Sequence, residues 1–435
     1  MDEQPVPRIL TRQEHPLSTR SIDPDALKIL YRLYTQGFQA YLVGGCVRDL
    51  LLGKIPKDFD VATNAHPQQI RELFRNSRLI GRRFRLAHVF FKNNKFIEVS
   101  TFRRRSEFEA EGETDPSPSD NTFGTPAEDA FRRDITINGI FYNIADFSLI
   151  DYVGGLEDLR GKMIRCIGDP EEKFTSDPVR MIRAIRHAAR TGFTIEEQTY
   201  RSLTRHVDKL HLCSPSRVRE EFMRELREGP VQESMKMMLS SGMLFALFPP
   251  FSRPLAETGP REYFIRIITA IDDLRSAGKV PPEEFCLALF LLPSLGFYCP
   301  WGRFPPGRRG QALFQQQVRE WVTETMQPLH FARQVREAIV HLLSAQRIFK
   351  EFLPQRKLPW LFTRQPYFSQ ALHLFEVEAR ARGEEADALS WTSGPGGPIG
   401  QRRKKKRRRK KKRPPSSARM AQESPTPNLL EIPRP

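Results

Sequence analysis

Cysteine is scarce in this sequence, and long apolar runs are missing. The five cysteines lie far apart, with no CxxC pair and no Cys/His cluster at the spacing of a zinc site. This pattern excludes a disulfide-rich secreted domain and favours a reducing compartment. No stretch reaches about 18 uninterrupted apolar residues, the length that a membrane-spanning helix needs. The most apolar segment, 286–301, is interrupted at Pro293 and Gly296, and we interpret it as a buried helix and its turn.

The first residues also lack the apolar segment of a secretory signal, so we expect a soluble, cytoplasmic protein. Proline, with 35 residues, is too frequent for one long coiled coil. Hydrophobic residues make up 39% of the chain, which is enough for a packed core and excludes a wholly disordered protein.

Positive charge is abundant and unevenly placed. The net charge is +17, and residues 402–413 are twelve consecutive Lys or Arg residues, so the rest of the chain carries only +5. A balance of this kind favours a polyanionic partner, with nucleic acid first and an anionic membrane surface second.

Apolar periodicity divides the chain into two parts. Helices alternate with strands in the first part, and amphipathic helices fill the second part up to about residue 380. In the first helix, Leu27, Leu30, Tyr31 and Tyr34 share one face. The predicted helices of the first part are 25–38, 46–53, 67–74 and 128–144, and the predicted strands are 40–43, 59–62, 86–91, 96–102 and 163–167.

We therefore predict an α+β fold in which a small α/β head precedes an all-helical neck and body. The predicted units are a flexible lead over 1–22, the head over 23–168, the neck over 169–229, the body over 230–385, and a disordered linker and polybasic tail over 386–435.

Two glycines follow the strand 40–43, in the sequence LVGGCVRD. Gly44 and Gly45 would let a phosphate approach bare backbone N–H groups at the positive end of a helix. Arg48 would add a charge-assisted contact to the same phosphate. Taken alone, a tight turn without any ligand is the simpler explanation of this motif.

A pair of carboxylates follows nine residues after this turn, in KDFDVAT. Asp58 and Asp60 are two apart on a predicted strand, so their side chains leave the same face and repel each other. Divalent cations held together with substrate phosphates relieve such repulsion. Each motif alone is common on protein surfaces, but their succession favours a site for a metal and a phosphate.

A third polar group is FRRDITIN, within the predicted helix 128–144. Asp134 and Asn138 are four apart and would share a helical face, where they could hold a ribose hydroxyl or a metal. Arg132 and Arg133 precede them and favour a phosphate ligand over an ordinary polar surface.

Together these motifs resemble the class II nucleotidyltransferases, the family of bacterial poly(A) polymerases and CCA-adding enzymes of tRNA. The GG-x-V-R-D and D-x-D motif is matched by Gly44, Gly45, Val47, Arg48, Asp49, Asp58 and Asp60. The RRD-x-T-I-N motif is matched by Arg132, Arg133, Asp134, Thr136, Ile137 and Asn138. A later P-x-R-x-x-E-E pattern is matched by Pro215, Arg217, Glu220 and Glu221. The resemblance spans roughly residues 25 to 250.

The family's base-reading motif, E-D-x-x-R, is matched at Asp177 and Arg180, while Ser176 replaces the leading glutamate. An acid and an arginine three apart on a helix offer an acceptor and a donor fork, which complement the Watson–Crick edge of adenine. Asp177 could equally serve as a helix N-cap, and the two roles are compatible.

The resemblance implies that an RNA 3′-hydroxyl attacks the α-phosphorus of ATP without a template and that pyrophosphate leaves. It implies that Asp58, Asp60 and Asp134 are catalytic and that Asp58 and Asp60 hold two Mg²⁺ ions. The nucleotide-binding residues that it implies are Gly44, Gly45, Arg48, Asp49, Arg132, Arg133, Asn138, Asp177, Arg180 and Arg217.

Three further residues remain open. Glu98, on the predicted strand 96–102, is a candidate third carboxylate, although the resemblance favours Asp134 for that place. His88 and His187 lie among apolar neighbours in the sequence and have no partner at ligand spacing, so we expect structural roles.

Two features favour a poly(A) polymerase over a CCA-adding enzyme. The stretch GRRFRLAHV resembles a signature of the bacterial poly(A) polymerases, and the basic run suits an enzyme that grips RNA in general. The alternatives are a CCA-adding enzyme and an RNA-binding protein with an inactive head. The expected partners are RNA 3′ ends, ATP and RNA-decay proteins, with the protein acting as a monomer. The predicted RNA-binding residues are Arg402, Arg403, Lys404, Lys405, Lys406, Arg407, Arg408, Arg409, Lys410, Lys411, Lys412 and Arg413.

Overall fold

The structure, a computed structural model, describes residues 6–81, 86–104, 123–353 and 358–383. It confirms the predicted α+β architecture, in which a mixed β-sheet is followed by helices. Outside the described residues lie part of the GRRFRLAHV stretch (82–85), the segment 105–122 and the basic run (402–413). The predicted unit boundaries remain predictions.

Short strands and short helices make up the head. The strands are β1 Arg8–Leu10, β2 Ala40–Val43, β3 Asp60–Thr63, β4 Ser77–Ile80, β5 Leu86–Phe90, β6 Phe96–Thr101, β7 Ile140–Asn143 and β8 Leu149–Asp151. The helices are α1 Pro24–Thr35, α2 Gly45–Leu51, α3 Pro67–Leu73, α4 Pro126–Phe131 and α5 Gly155–Gly161.

Helices dominate the rest of the described chain, together with two short strands, β9 Met163–Ile164 and β10 Thr194–Ile195. The helices are α6 Pro170–Ser176, α7 Val179–Thr191, α8 Glu197–His206, α9 Pro215–Glu228, α10 Val231–Ser240, α11 Met243–Leu247, α12 Thr258–Ser276, α13 Glu283–Tyr298, α14 Gly307–Met326, α15 Arg333–Phe352 and α16 Phe368–Ala381.

The head contains one eight-stranded sheet in the order β1-β8-β7-β2-β3-β6-β5-β4. β3 and β6 run parallel, and every other described pair of neighbours in this sheet is antiparallel. The strands predicted over 86–91 and 96–102 form an antiparallel hairpin, β5–β6, in whose turn Asn93 and Asn94 adopt positive φ. The central position of β3 places the start of that strand between the end of β2 and the middle of β6.

Helix α1 buries a different face from the predicted one. Tyr31 and Tyr34 are exposed, and the buried residues are Ala26, Ile29, Leu30 and Leu33. The aliphatic stripe packs against the sheet, while the amphipathic tyrosines stay at the water boundary. The helix predicted over 25–38 ends at Thr35, where Gln36 caps it and Gly37 follows with a φ of +82°.

The helix predicted over 128–144 is wrong beyond its first turns. Helix α4 ends at Phe131, a 3₁₀ turn covers Thr136–Asn138, and β7 follows between β2 and β8. The β-branched and aromatic residues of ITINGIFYN fit a buried strand, and pairing on both sides overrides the helical pattern. Asp134 and Asn138 therefore do not share a helical face.

The chain before α1 belongs largely to the head. β1 pairs with β8, and Leu17 and Ile22 are buried in the head core. The expectation of a flexible lead over 1–22 is therefore wrong for residues 8–22, because this segment completes one edge of the sheet.

One apolar core runs through the helical part, from Cys166 to Val377. Phe222, Phe248 and Phe290 form its aromatic centre, with ring centroids 4.9 to 5.2 Å apart. Helix α13 crosses this core, which confirms the buried helix predicted from the most apolar segment. Among the described helices, none combines the length and apolarity needed to cross a membrane.

Candidate active site

The predicted strand–glycine–helix turn is confirmed. β2 ends at Val43, the register partner of Asp60, and α2 begins at Gly45. Gly44 has a φ of +78°, which a residue with a β-carbon adopts only with strain. A β-carbon on Gly44 would lie 3.3 Å from Arg133 Nη1 and 3.6 Å from Asp60 Oδ2. The turn therefore brings bare backbone, a guanidinium and a carboxylate together.

Carboxylates gather where β3 begins. Glu98 lies opposite Asp60 as its register partner on the parallel strand β6. Asp58 precedes the strand and is exposed, so the prediction that Asp58 and Asp60 leave one face of a strand is wrong: β3 starts only at Asp60. Burial, and then repulsion by Glu98, raise the pKa of Asp60 to about 6, with Arg133 opposing and Asp58 adding to the shift.

This concentration of negative charge fits a divalent cation. Carboxylate oxygens are the ligands that Mg²⁺ prefers, and such sites commonly use one or two carboxylates, substrate phosphates and water. Within the described residues, no three ligating side chains converge to form a complete metal site.

Arg48 is almost completely buried, with 1% of its surface exposed. Its guanidinium donates to Asp49 Oδ1 at 2.7 and 2.9 Å and to Asn138 Oδ1 at 2.8 Å. Asp49 also pairs with Arg190, and Asn138 Nδ2 lies 3.2 Å from His187 Nε2. Because these side chains satisfy one another inside the protein, the Arg48 guanidinium is engaged by Asp49 and Asn138. The structure therefore differs from the predicted contact of Arg48 with a phosphate.

Arg132 and Arg133 share one buried carboxylate. Arg132 Nε donates to Asp129 Oδ1 at 2.8 Å, and Arg133 Nη2 donates to Asp129 Oδ2 at 2.9 Å. Although burial opposes ionisation, Arg133 and then Arg132 hold the pKa of Asp129 below its ordinary value. The second terminal nitrogen of Arg133 faces Gly44, which leaves a positive group beside the glycine turn.

Asp134 lies between two arginines of α7. Its Oδ1 accepts from Arg180 Nη1 at 2.6 Å, and its Oδ2 accepts from Arg183 Nη1 at 3.0 Å. Burial alone would raise the pKa of Asp134, but Arg180 and Arg183 hold it below its ordinary value. Asp134 is therefore an ionised link between the head and α7, and both of its carboxylate oxygens are engaged by arginines of α7.

Asp177 and Arg180 are adjacent, as the resemblance implied, with Arg180 Nε 3.7 Å from Asp177 Oδ2. Arg217 Nη2 lies 3.0 Å from both carboxylate oxygens of Asp177. No backbone N–H of α7 bonds the Asp177 side chain, so the predicted N-cap is not found, and Pro178 holds that position. The Ser176 hydroxyl bonds the carbonyl of Lys173 within its own helix.

A row of cationic and polar side chains on α7 was not predicted from the sequence. Arg180, Arg183, His187 and Arg190 recur every three or four residues and contact Asp134, Asn138 or Asp49 of the head. Their spacing of three or four positions is visible in the sequence and indicates that they share one side of a helix. His187 contacts polar groups of the head, with its Nδ1 3.4 Å from Arg48 Nη1 and its Nε2 3.2 Å from Asn138 Nδ2. Burial, followed by the charge of Arg48, lowers the pKa of His187 well below the ordinary value.

His88 is the register partner of Glu98 on β5, stacks on Phe96 with ring centroids 4.3 Å apart, and has its Nε2 3.7 Å from Glu98 Oε2. The stacking is consistent with the expected structural role.

Known proteins share both the sequence motifs and the architecture. The family model "Poly A polymerase head domain" matches residues 40–165, and "Probable RNA and SrmB- binding site of polymerase A" matches residues 192–253. The chain is 43% identical to Poly(A) polymerase I of Escherichia coli O157:H7 over 303 residues, which are 67% of this chain. The aligned part covers 65% of that protein.

CCA-adding enzymes are similar over a shorter stretch. The CCA-adding enzyme of Bacillus velezensis is 35% identical over 220 residues, which cover 50% of this chain and 54% of that protein. The structure of the Thermotoga maritima CCA-adding enzyme complexed with tRNA has the same fold, with a TM-score of 0.62 at 22% identity over 89% of this chain and 86% of that one. The chain therefore belongs to the nucleotidyltransferase family of the poly(A) polymerases and CCA-adding enzymes.

Proposed function

We propose that this protein adds AMP from ATP to RNA 3′ ends without a template and releases pyrophosphate. The observation that carries the proposal is the meeting of Asp60, Glu98 and Arg133 at the Gly44 turn. A phosphate-accepting turn beside carboxylates that can bind a cation suits a nucleoside triphosphate better than a neutral ligand.

The glycine turn and Arg133 would bind the triphosphate. Bare backbone N–H groups at Gly44 and Gly45 accept close approach of phosphate oxygens, and Arg133 adds a positive charge on the same side. Arg48 and Asp49 brace this turn from inside the protein. We assign them to preorganisation of the site, which lets the turn stabilise developing charge without rearranging.

Asp58 and Asp60 would hold the Mg²⁺ ions, and Glu98 would support them. When bound, the cations would lower the pKa of the RNA 3′-hydroxyl and neutralise charge on the leaving pyrophosphate. The chain's own contribution is to place these carboxylates where the β2–α2 turn presents the phosphates, so that the hydroxyl and the α-phosphorus meet in line.

Asp177 and Arg180 would read the base. Arg217 fixes Asp177, and Asp134 fixes Arg180, so an acceptor and a donor are held next to each other. This pair matches the edge of adenine, and the ring nitrogen and amino group of cytosine match it as well. Discrimination against CTP would therefore come from pocket size, since a smaller pyrimidine leaves a contact unmade.

Polyadenylation is favoured over CCA addition because identity to the poly(A) polymerase is higher and extends over more of this chain. The basic run 402–413 adds a grip on generic RNA phosphate. We further propose that the protein works as a monomer in the cytoplasm and that RNA-decay proteins use the tails it makes.

The direct test is incubation of the full chain with Mg²⁺, an unstructured RNA and each nucleoside triphosphate in turn. We expect the RNA to lengthen with ATP and the Asp60→Ala variant to be inactive while it still binds RNA. No lengthening by the native chain with any nucleotide would support the RNA-binding protein with an inactive head.

A further inference from the structure

Arg183 joins two carboxylates that come from different parts of the chain. Its Nη1 donates to Asp134 Oδ2 at 3.0 Å, and its Nε donates to Glu221 Oε1 at 2.9 Å. Asp134 belongs to the head, whereas Glu221 lies on α9 and is buried. Arg183 itself follows Arg180 by almost one turn of α7, so the two guanidinium groups lie on one side of the helix.

We infer that Arg183 is a specificity-determining positioning residue, which holds the base-reading Arg180 in place through Asp134. The two oxygens of Asp134 are divided between the two arginines, so the position of the carboxylate that Arg180 meets depends on Arg183. This inference rests on the proposed function and adds a residue whose described contacts are with the carboxylates of Asp134 and Glu221.

Glu221 gives this linkage a fixed end. The carboxylate is bonded by Arg183 on one oxygen and by Arg186 on the other. It is 5% exposed, and packing in the helical core immobilises α9 at this point. The contacts therefore run in sequence from Glu221 through Arg183 and Asp134 to Arg180, and each guanidinium has a defined orientation.

A purely structural brace between head and neck would behave differently. Its loss would reduce stability and lower the use of ATP and CTP by the same factor. A positioning role changes the ratio between the two nucleotides, because the smaller cytosine already leaves a contact unmade, so a displaced Arg180 costs ATP more than CTP while phosphate and cation contacts persist.

The matched variants are Arg183→Gln and Arg186→Gln. Both remove one charged contact to Glu221, but Arg186 has no recorded contact with Asp134. We would measure kcat and KM for ATP and for CTP on one unstructured RNA, and the thermal midpoint of each variant. Arg183→Gln should lower the preference for ATP on the order of tenfold, mainly through a higher KM for ATP. Arg186→Gln should keep the native preference.

Two more variants distinguish a loss of positioning from misfolding. Arg183→Lys retains the charge but loses the planar fork, so it should recover part of the preference. Glu221→Gln leaves Arg183 bound to Asp134 and should give a smaller loss in the same direction. An unchanged ATP-to-CTP ratio in folded Arg183→Gln, or equal losses in Arg183→Gln and Arg186→Gln, would overturn the inference. A native chain that incorporates neither nucleotide would instead refute the proposed function.

Discussion

Glu98 faces Asp60 across two parallel strands, at the point where β2 passes into the glycine turn. Burial raises the pKa of Asp60 most, and repulsion by the Glu98 carboxylate raises it further. Burial also raises the pKa of Glu98. Two carboxylates so arranged repel each other, and a cation beside them would relieve that cost, so mutation of this pair tests the proposed metal site.

The variants Asp60→Asn and Glu98→Gln should distinguish the roles of the two residues. Asp60→Asn removes a proposed ligand, so nucleotide incorporation should fall by far more than the roughly 10–100-fold typical of residues behind the ligands. The loss of nucleotide incorporation in Glu98→Gln should fall within that range. Mg²⁺ should raise the thermal midpoint of the native chain and raise it less in either variant.

The control is Glu72→Gln, which changes an exposed carboxylate on α3. It should leave both incorporation and the effect of Mg²⁺ unchanged. If Mg²⁺ stabilises Asp60→Asn as much as the native chain, the cation does not bind at this pair.

Local patterns predicted one half of this site. The turn at Gly44 could be recognised because a strand, two glycines and a helix follow one another directly. The position of Glu98 opposite Asp60 could not be recognised in the same way. The parallel pairing of β3 with β6 joins segments 38 residues apart, and such pairing produces no periodic pattern in the sequence. Sequence reasoning therefore treated Glu98 only as an alternative to Asp134.

Arg48 offers a second prediction, because structure and sequence give it different roles. Arg48→Met would leave the buried Asp49 with Arg190 alone, and breaking such a pair costs about 3–5 kcal/mol. We expect a large loss in the free energy of unfolding and little change in the KM for ATP below the melting transition. A stable variant with a much higher KM for ATP would instead support a direct contact between Arg48 and phosphate.

The segment after α4 shows why the helical pattern gave a wrong prediction of secondary structure. ITINGIFYN carries apolar residues at spacings that fit a helix, yet β7 forms because β2 and β8 both supply hydrogen-bonding partners. As a result Asp134 turns toward α7, and Asn138 turns toward Arg48. The contacts of Arg180 and Arg183 with Asp134 join residues more than 40 positions apart, which spacing on a single element cannot reveal.

Glu225 gives the fold a pH dependence that is separate from catalysis. Burial raises its pKa from 4.5 to about 7, although hydrogen bonding by Ser234 opposes the shift. Between these two values the folded protein binds more protons than the unfolded chain, so stability should decrease as pH rises from 4.5 through 7. The slope from this residue is at most roughly 1.4 kcal/mol per pH unit.

Glu225→Gln keeps the shape of the side chain and removes the titration. Chemical unfolding at a series of pH values should show a flatter profile for the variant and greater stability than the native chain at pH values above 7. Identical slopes in the two proteins would show that Glu225 stays ionised in the fold.

The basic run 402–413 should determine how RNA affinity depends on salt. On single strands log K falls with log[salt] with a slope of about −0.7 per neutralised phosphate. A variant whose run is replaced by Gly and Ser at equal length should show a slope flatter by several units. The slope would stay the same if the run binds an acidic lipid surface or a protein in place of RNA.

Nucleotide choice on two RNAs tests the central claim most directly. Labelled ATP and CTP would be offered, separately and together, with an unstructured RNA and with a tRNA that lacks its 3′ end. We predict repeated addition of A to both RNAs, with a preference over C on the order of ten- to a few-hundred-fold. Addition of C, C and A to the tRNA followed by a stop would contradict polyadenylation and identify a CCA-adding enzyme.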